Sequence, residues 1–131
     1  ILKLINNEEL FIINDQIGSP ISTSLVTKVT SEILSINNFI KPKHIFHLST
    51  KGSVSWYDIA LYIQHKIETN NLNSKINPIK SSQFNSLVER PKNSLFDHSN
   101  VEKIIKTKIP FWKDDLDPVI KQTYSNLFNN N

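Results

Sequence analysis

Arg90 is the only arginine in a chain of 131 residues; the other 14 basic residues are lysines. A guanidinium is a planar, permanently charged fork that grips paired oxygens of a phosphate or carboxylate, which an ammonium cannot do. Arg90 follows a long polar run and precedes Pro91, a setting that suits a side chain projecting into a cleft. The structural alternative is an ion pair with Glu89 or another acid. Asn93, three residues on, offers a donor and an acceptor, either to a ligand or to its own turn. A second group is Asp15, Gln16 and Ser19, in a turn-rich stretch directly after the apolar run Leu10-Phe11-Ile12-Ile13. The end of such a run is where α/β folds bind ligands. Gln16 and Ser19 are the ligand candidates there, while Asp15 reads first as a turn residue capping its own backbone.

Other chemistries find no support. The chain has no cysteine, which excludes disulfides, thiolate metal sites and thiol nucleophiles. It has two glycines, Gly18 and Gly52, too few and too far apart for a dinucleotide-binding turn or a phosphate-cradling loop. The four histidines, at 44, 47, 65 and 98, lack metal-ligand spacing, and His47 reads as a hydrogen-bonded structural residue of a strand. The acids Asp114, Asp115 and Asp117 fit the start of a helix better than a cation site, so no metal is expected. The net charge of +3 is mild, and acids interleave with scattered lysines, so no nucleic-acid face is expected. Abundant Lys, Asn and Ile reflect a compositional bias rather than a function. Tyr62 and Lys66 match Tyr-x-x-x-Lys in form, but read as neighbours on a helix surface.

These side chains need elements to hold them. The patterning predicts an α/β chain of mixed helices and short strands. A helix end occupies residues 1–9. Strands are predicted at residues 10–13 and 45–48, with an edge strand at 76–79 because of Pro78. Gly18 supplies a backbone angle that other residues resist. Ser22, Thr23 and Ser24 offer caps for a helix reaching about Asn38. Ser55 and Asp58 resemble a capping box. It opens a helix with Trp56, Ile59, Ala60, Ile63 and Ile67 on one apolar face. Trp56 and Trp112 are expected in the core. Residues 80–89 read as a loop and 99–107 as a short helix. A last helix from about Lys113 to Phe128 tolerates Pro118 only in its first turn. No apolar run is long enough to span a membrane. The chain begins with Ile and contains no Met, so it reads as part of a longer protein.

Four stretches in order resemble one family. Asn14-Asp15-Gln16-Ile17-Gly18-Ser19-Pro20 is similar to the "DQxGSPT" loop of dTDP-4-dehydrorhamnose reductases. Phe46-His47-Leu48-Ser49 followed by Ser55-Trp56-Tyr57-Asp58-Ile59-Ala60 resembles "YHLSG…SWYDFA". Arg90-Pro91-Lys92-Asn93-Ser94-Leu95-Phe96-Asp97 resembles "RPxNSxLD", and Pro110-Phe111-Trp112 resembles the "PxW" before the final helix. One departure is Ile21, where the family has Thr.

The resemblance implies the C-terminal, substrate-binding part of an extended short-chain dehydrogenase, at residues 1–128, with a frayed tail at 129–131. It implies an absent N-terminal Rossmann half that binds NADPH or NADH and carries the catalytic Tyr and Lys. This chain would then hold no catalytic residue, bind no cofactor and be inactive alone. Its ligand would be a nucleotide-sugar, with Arg90 on the diphosphate and Asn93, Gln16 and Ser19 as further substrate contacts. The resemblance also implies a cytoplasmic protein and allows a homodimer of the parent. A non-catalytic relative remains open: the regulatory subunit of methionine adenosyltransferase resembles the same pattern.

Overall fold

A computed structural model describes residues 1–6, 8–36, 45–67, 74–84 and 88–129. It is an α/β arrangement of two small sheets and helices. A one-turn helix, α1 (Leu2–Ile5), leads into β1 (Leu10–Ile13). β1 pairs in parallel with β4 (Ile76–Ile79), Leu10 facing Ile76 and Ile13 facing Ile79. β2 (Ile17–Gly18) pairs antiparallel with β3 (Val54–Ser55). Pro78 sits in β4 without penalty, because a strand in a two-stranded sheet has an edge where no N–H is needed.

Helix α2 (Thr23–Ser35) starts where the hydroxyls predict. Ser22 caps it, its Oγ accepting from the Leu25 N–H at 3.1 Å. Residues 37 and 38, part of the expected helix, lie outside the described residues. Helix α3 (Trp56–Ile67) has the expected cap: the Asp58 N–H donates to Ser55 Oγ, and that hydroxyl donates to Asp58 Oδ2 at 2.6 Å. The loop at 80–89 holds a single 3₁₀ turn, Ser81–Gln83; residues 85–87 are not described. Helix α4 is only Ser99–Glu102, yet Val101, Ile104 and Ile105 all turn to the core as expected. Helix α5 (Trp112–Asn129) takes in the first residue of the expected tail; residues 130 and 131 are not described. No described helix is long and apolar enough to cross a membrane.

Two apolar clusters hold these pieces. One gathers Leu25, Val29, Val101 and Ile109; the other gathers Leu4, Ile67 and Ile120 beneath Leu10, Ile63 and Ile76. Each such side chain, fully buried, contributes about 1.5–3 kcal/mol.

Several expectations change. Residues 45–48 belong to no strand of the described chain. Their alternation survives, with Phe46 and Leu48 on the first cluster and Ile45 in solvent, but a strand also needs a hydrogen-bonded neighbour. His47 stacks on Phe96 with the rings 5.0 Å apart. Pro118 lies in the second turn of α5, because the helix begins at Trp112. The bond a Pro N–H cannot make is the one to the Asp114 carbonyl. Gly18 does not have a positive φ; Gly52 does, at 87°. Trp112 is buried as expected, but Trp56 is 58% exposed. Trp56 is the first residue of α3, at the end of the helix away from Ile63 and Ile67, which join the second cluster.

Candidate functional site

The parallel pairing of β1 and β4 brings their carboxyl ends together, and a cleft of about 1640 Å³ lies along the pair and beyond those ends. Its walls include Phe11 of β1, Trp56, Ile59 and Ile63 of α3, Phe84 and Val88. Its polar groups are Asp15, Gln16, Lys80, Ser81, Ser82, Glu89, Arg90 and Lys92. Crevices at the carboxyl ends of parallel strands are where open α/β sheets take ligands.

Local hydrogen bonds explain how distant segments meet here. The Ile17 N–H donates to the Lys92 carbonyl at 2.8 Å, and the Ser94 N–H donates back to the Ile17 carbonyl at 2.9 Å. Residues 92–94 thus run beside β2, setting Arg90 in the same cleft as Gln16. At Gly18 an added Cβ would stand 3.0 Å from Ser94 Oγ, so a side chain there would make the Ser94 hydroxyl shift.

Arg90 is exposed, and no ion pair with a described acid holds it. The pairing with Glu89 allowed by the sequence is not made. Gln16 is half-buried in the cleft. The other two predicted contacts lie elsewhere. Asn93 Oδ1 accepts from the Leu95 N–H at 3.0 Å, closing its own turn outside the cleft lining. Ser19 Oγ lies 2.6 Å from the Gly52 carbonyl and 2.8 Å from that of Thr50, and donates its one proton between them. Thr50 Oγ1 in turn donates to the Pro20 carbonyl at 2.6 Å. Ser19 is a staple between two loops, away from the cleft lining. Ile21, in place of the family's Thr, packs on the first apolar cluster.

The acids have structural tasks. Asp15 does not chiefly cap its own turn; it accepts from Ser81 across the strand ends. The Ser81 N–H, aided by its hydroxyl and by the charge of Lys92, holds the Asp15 carboxyl below its ordinary 3.8. Asp115 accepts from the N–H and hydroxyl of Ser22, tying α5 to the start of α2. Asp117 accepts from Tyr62 Oη at 2.6 Å and from Lys66 Nζ at 2.7 Å. Tyr62 and Lys66 therefore join α3 to α5, away from the cleft. Burial, followed by the bond to Asp117, raises the Tyr62 phenol, the reverse of what a proton donor at neutral pH needs.

Sequence reasoning missed Trp56, Phe11, Lys80 and Lys92 as cleft residues. A signal was present for Trp56: the cap at Ser55 makes it the first helical residue, the one farthest along the apolar face from the core.

The family model for the RmlD substrate binding domain matches residues 1–125. The chain belongs to this family. Among curated relatives, the spore coat polysaccharide biosynthesis protein SpsK of Bacillus subtilis is 30% identical over 96 residues, covering 73% of this chain and 31% of that protein. The dTDP-4-dehydrorhamnose reductase of Shigella flexneri is 22% identical over 122 residues, covering 90% of this chain and 41% of the enzyme. The chain thus spans less than half the length of either relative. Among solved structures, the reductase ortholog from Clostridium acetobutylicum superposes with a TM-score of 0.76 at 26% identity, covering 94% of this chain and 43% of that one. The Bacillus anthracis reductase, solved in complex with NADP, gives 0.72 at 25% identity, covering 88% and 38%. The RmlD assignment accounts for the α/β architecture and for the four motifs read from the sequence.

Proposed function

We propose that this chain, residues 1–128, is the C-terminal nucleotide-sugar-binding part of a dTDP-4-dehydrorhamnose reductase. The whole enzyme would reduce the 4-keto group of dTDP-6-deoxy-L-lyxo-4-hexulose with NADPH or NADH, giving dTDP-L-rhamnose. The observation that carries this reading is the placing of Arg90. It is an exposed guanidinium without an acidic partner among the described residues, in a cleft beside Gln16 at the carboxyl ends of a parallel pair. A bidentate, permanently charged fork there suits a diphosphate. Gln16 is the second substrate contact in this reading. Ser19 and Asn93 shape the loops that present Arg90 and Gln16.

The cofactor does not fit the residues present. Gly18 packs against Ser94 and Gly52 against Trp112, so neither glycine belongs to a pyrophosphate-binding turn. Cofactor and proton donor are assigned to an N-terminal Rossmann half, so this chain positions the substrate and carries no step of the reduction. The test is NAD(P)H oxidation in the presence of the keto-sugar nucleotide. The full-length protein is expected to turn over and the isolated chain to be inert. A full-length protein that binds neither dTDP nor the keto-sugar would refute the proposal.

A further inference from the structure

A strand pair and an isolated bridge meet at Ile17, at the edge of the cleft. Ile17 of β2 faces Ser55 of β3 in an antiparallel pair, and Ile17 also bridges Asn93 in parallel. Three cleft residues stand next to these paired positions: Gln16 precedes Ile17, Trp56 follows Ser55 as the first residue of α3, and Lys92 precedes Asn93. All three line the cleft, with Arg90 beside Lys92. Together they offer the cleft an aromatic ring, an amide and a cation.

Trp56 has no other evident task. Its indole is more than half exposed, while the chain's second indole, Trp112, is buried and meets Tyr62 edge-on. No hydrogen bond or ring contact with a described residue holds Trp56. Trp56 shares the cleft with the exposed rings of Phe11 and Phe84, and an apolar patch in a concave site marks an interaction surface. The charge in the cleft points to the occupant. Lys80, Arg90 and Lys92 face the cleft, opposed by Glu89 and by Asp15, whose carboxylate is already engaged by Ser81. An apolar ring followed by fixed positive charge complements a flat base followed by a diphosphate.

We infer that Trp56 is the stacking platform for the nucleobase of the ligand whose diphosphate Arg90 holds. The inference rests on the nucleotide-sugar reading above and fixes the ligand's direction in the cleft: base over the first turn of α3, phosphates toward residues 90–92. Trp56 opens a helix whose start is fixed by the Ser55–Asp58 cap.

The experiment is calorimetric titration of the full-length protein with dTDP and, separately, with inorganic pyrophosphate, which has no base. Trp56→Ala is expected to weaken dTDP binding about 5- to 150-fold, the range of base–aromatic stacking, and to leave pyrophosphate affinity unchanged. Trp56→Phe, which keeps an aromatic face, should restore most of the dTDP affinity. Arg90→Lys should weaken both ligands. Normal dTDP affinity in Trp56→Ala, with Arg90→Lys impaired, overturns the role of Trp56 and leaves the site reading intact. Equal loss of dTDP and pyrophosphate in Trp56→Ala makes the residue structural and also overturns it. Wild-type protein that fails to bind dTDP overturns both.

Discussion

Asp15 holds Ser81 with both carboxylate oxygens. The Ser81 N–H donates to Oδ1 at 2.7 Å and its hydroxyl to Oδ2 at 2.9 Å. Asp15 stands two residues beyond β1 and Ser81 two beyond β4, so this pair locks together the strand ends that border the cleft. It also fixes the 3₁₀ turn from which Lys80 and Ser82 line the cleft.

Asp15→Ala should therefore loosen the cleft more than the core. The expected result is faster amide exchange at Ser81 and Gln83 and a several-fold loss of dTDP affinity, with exchange in α2 and α5 unchanged. Protection that persists at Ser81 would show that the turn is held by other groups.

Arg90→Lys tests the anion end of the site. It keeps the charge and removes the fork, so dTDP affinity is expected to fall about 30- to 1,000-fold while thermal melting stays nearly unchanged. Arg90 is exposed and makes no described ion pair, so the fold should not notice the change. A melt lowered by several degrees, with dTDP affinity intact, would make Arg90 a structural residue.

The joint between α3 and α5 should respond to pH in a defined direction. The Lys66 ammonium, then the Tyr62 hydroxyl, holds the Asp117 carboxyl below its ordinary 3.8. A carboxyl depressed in the folded state stabilises fully above its unfolded value, and that contribution is lost as pH falls through the folded one. Lys66 is raised above 10.5, chiefly by its bond to Asp117, and Tyr62 above 10.0, so their contributions are lost as pH rises through those raised values. The joint is whole between about pH 4 and pH 10. Asp117→Asn should melt lower than wild type at pH 7, and the gap should close as pH drops below 3.8. A gap independent of pH would contradict the charge-based account.

The two glycines should differ when each is changed to Ala. Gly52 has φ 87°, and a Cβ there would lie 3.1 Å from Trp112 Cδ1, so Gly52→Ala combines backbone strain with a crowded core. A loss of at least about 1–2 kcal/mol in denaturant unfolding is expected. Gly18 has an ordinary φ and is crowded only by the Ser94 hydroxyl. Gly18→Ala should be milder, and the addition of Ser94→Ala should relieve it. Failure of that rescue would point to a backbone cause at Gly18.

Local physics made much of this protein legible in one dimension. Hydroxyl caps at Ser22 and Ser55 set the starts of α2 and α3, and apolar spacing set their inward faces, because both depend on neighbours within about four residues. The run Leu10–Ile13 and the edge strand with Pro78 followed from the same kind of signal. Arg90 and Gln16 stood out as candidates through chemistry and motif, since a lone guanidinium and a polar strand-end loop are local features. Tertiary structure decided which of these groups share a cleft. Residues 92–94 pair with Ile17 over a separation of more than 70 residues, and that pairing, not proximity in the chain, joins Arg90 to Gln16. Tertiary structure also decided that Ser19 and Asn93 lie outside the cleft lining, where the Ser19 hydroxyl donates to the Gly52 carbonyl and Asn93 Oδ1 accepts from the Leu95 N–H. Trp56 has the spacing of a core residue and lies in solvent, because periodicity says which face of a helix is apolar, not where the surface covering that face ends.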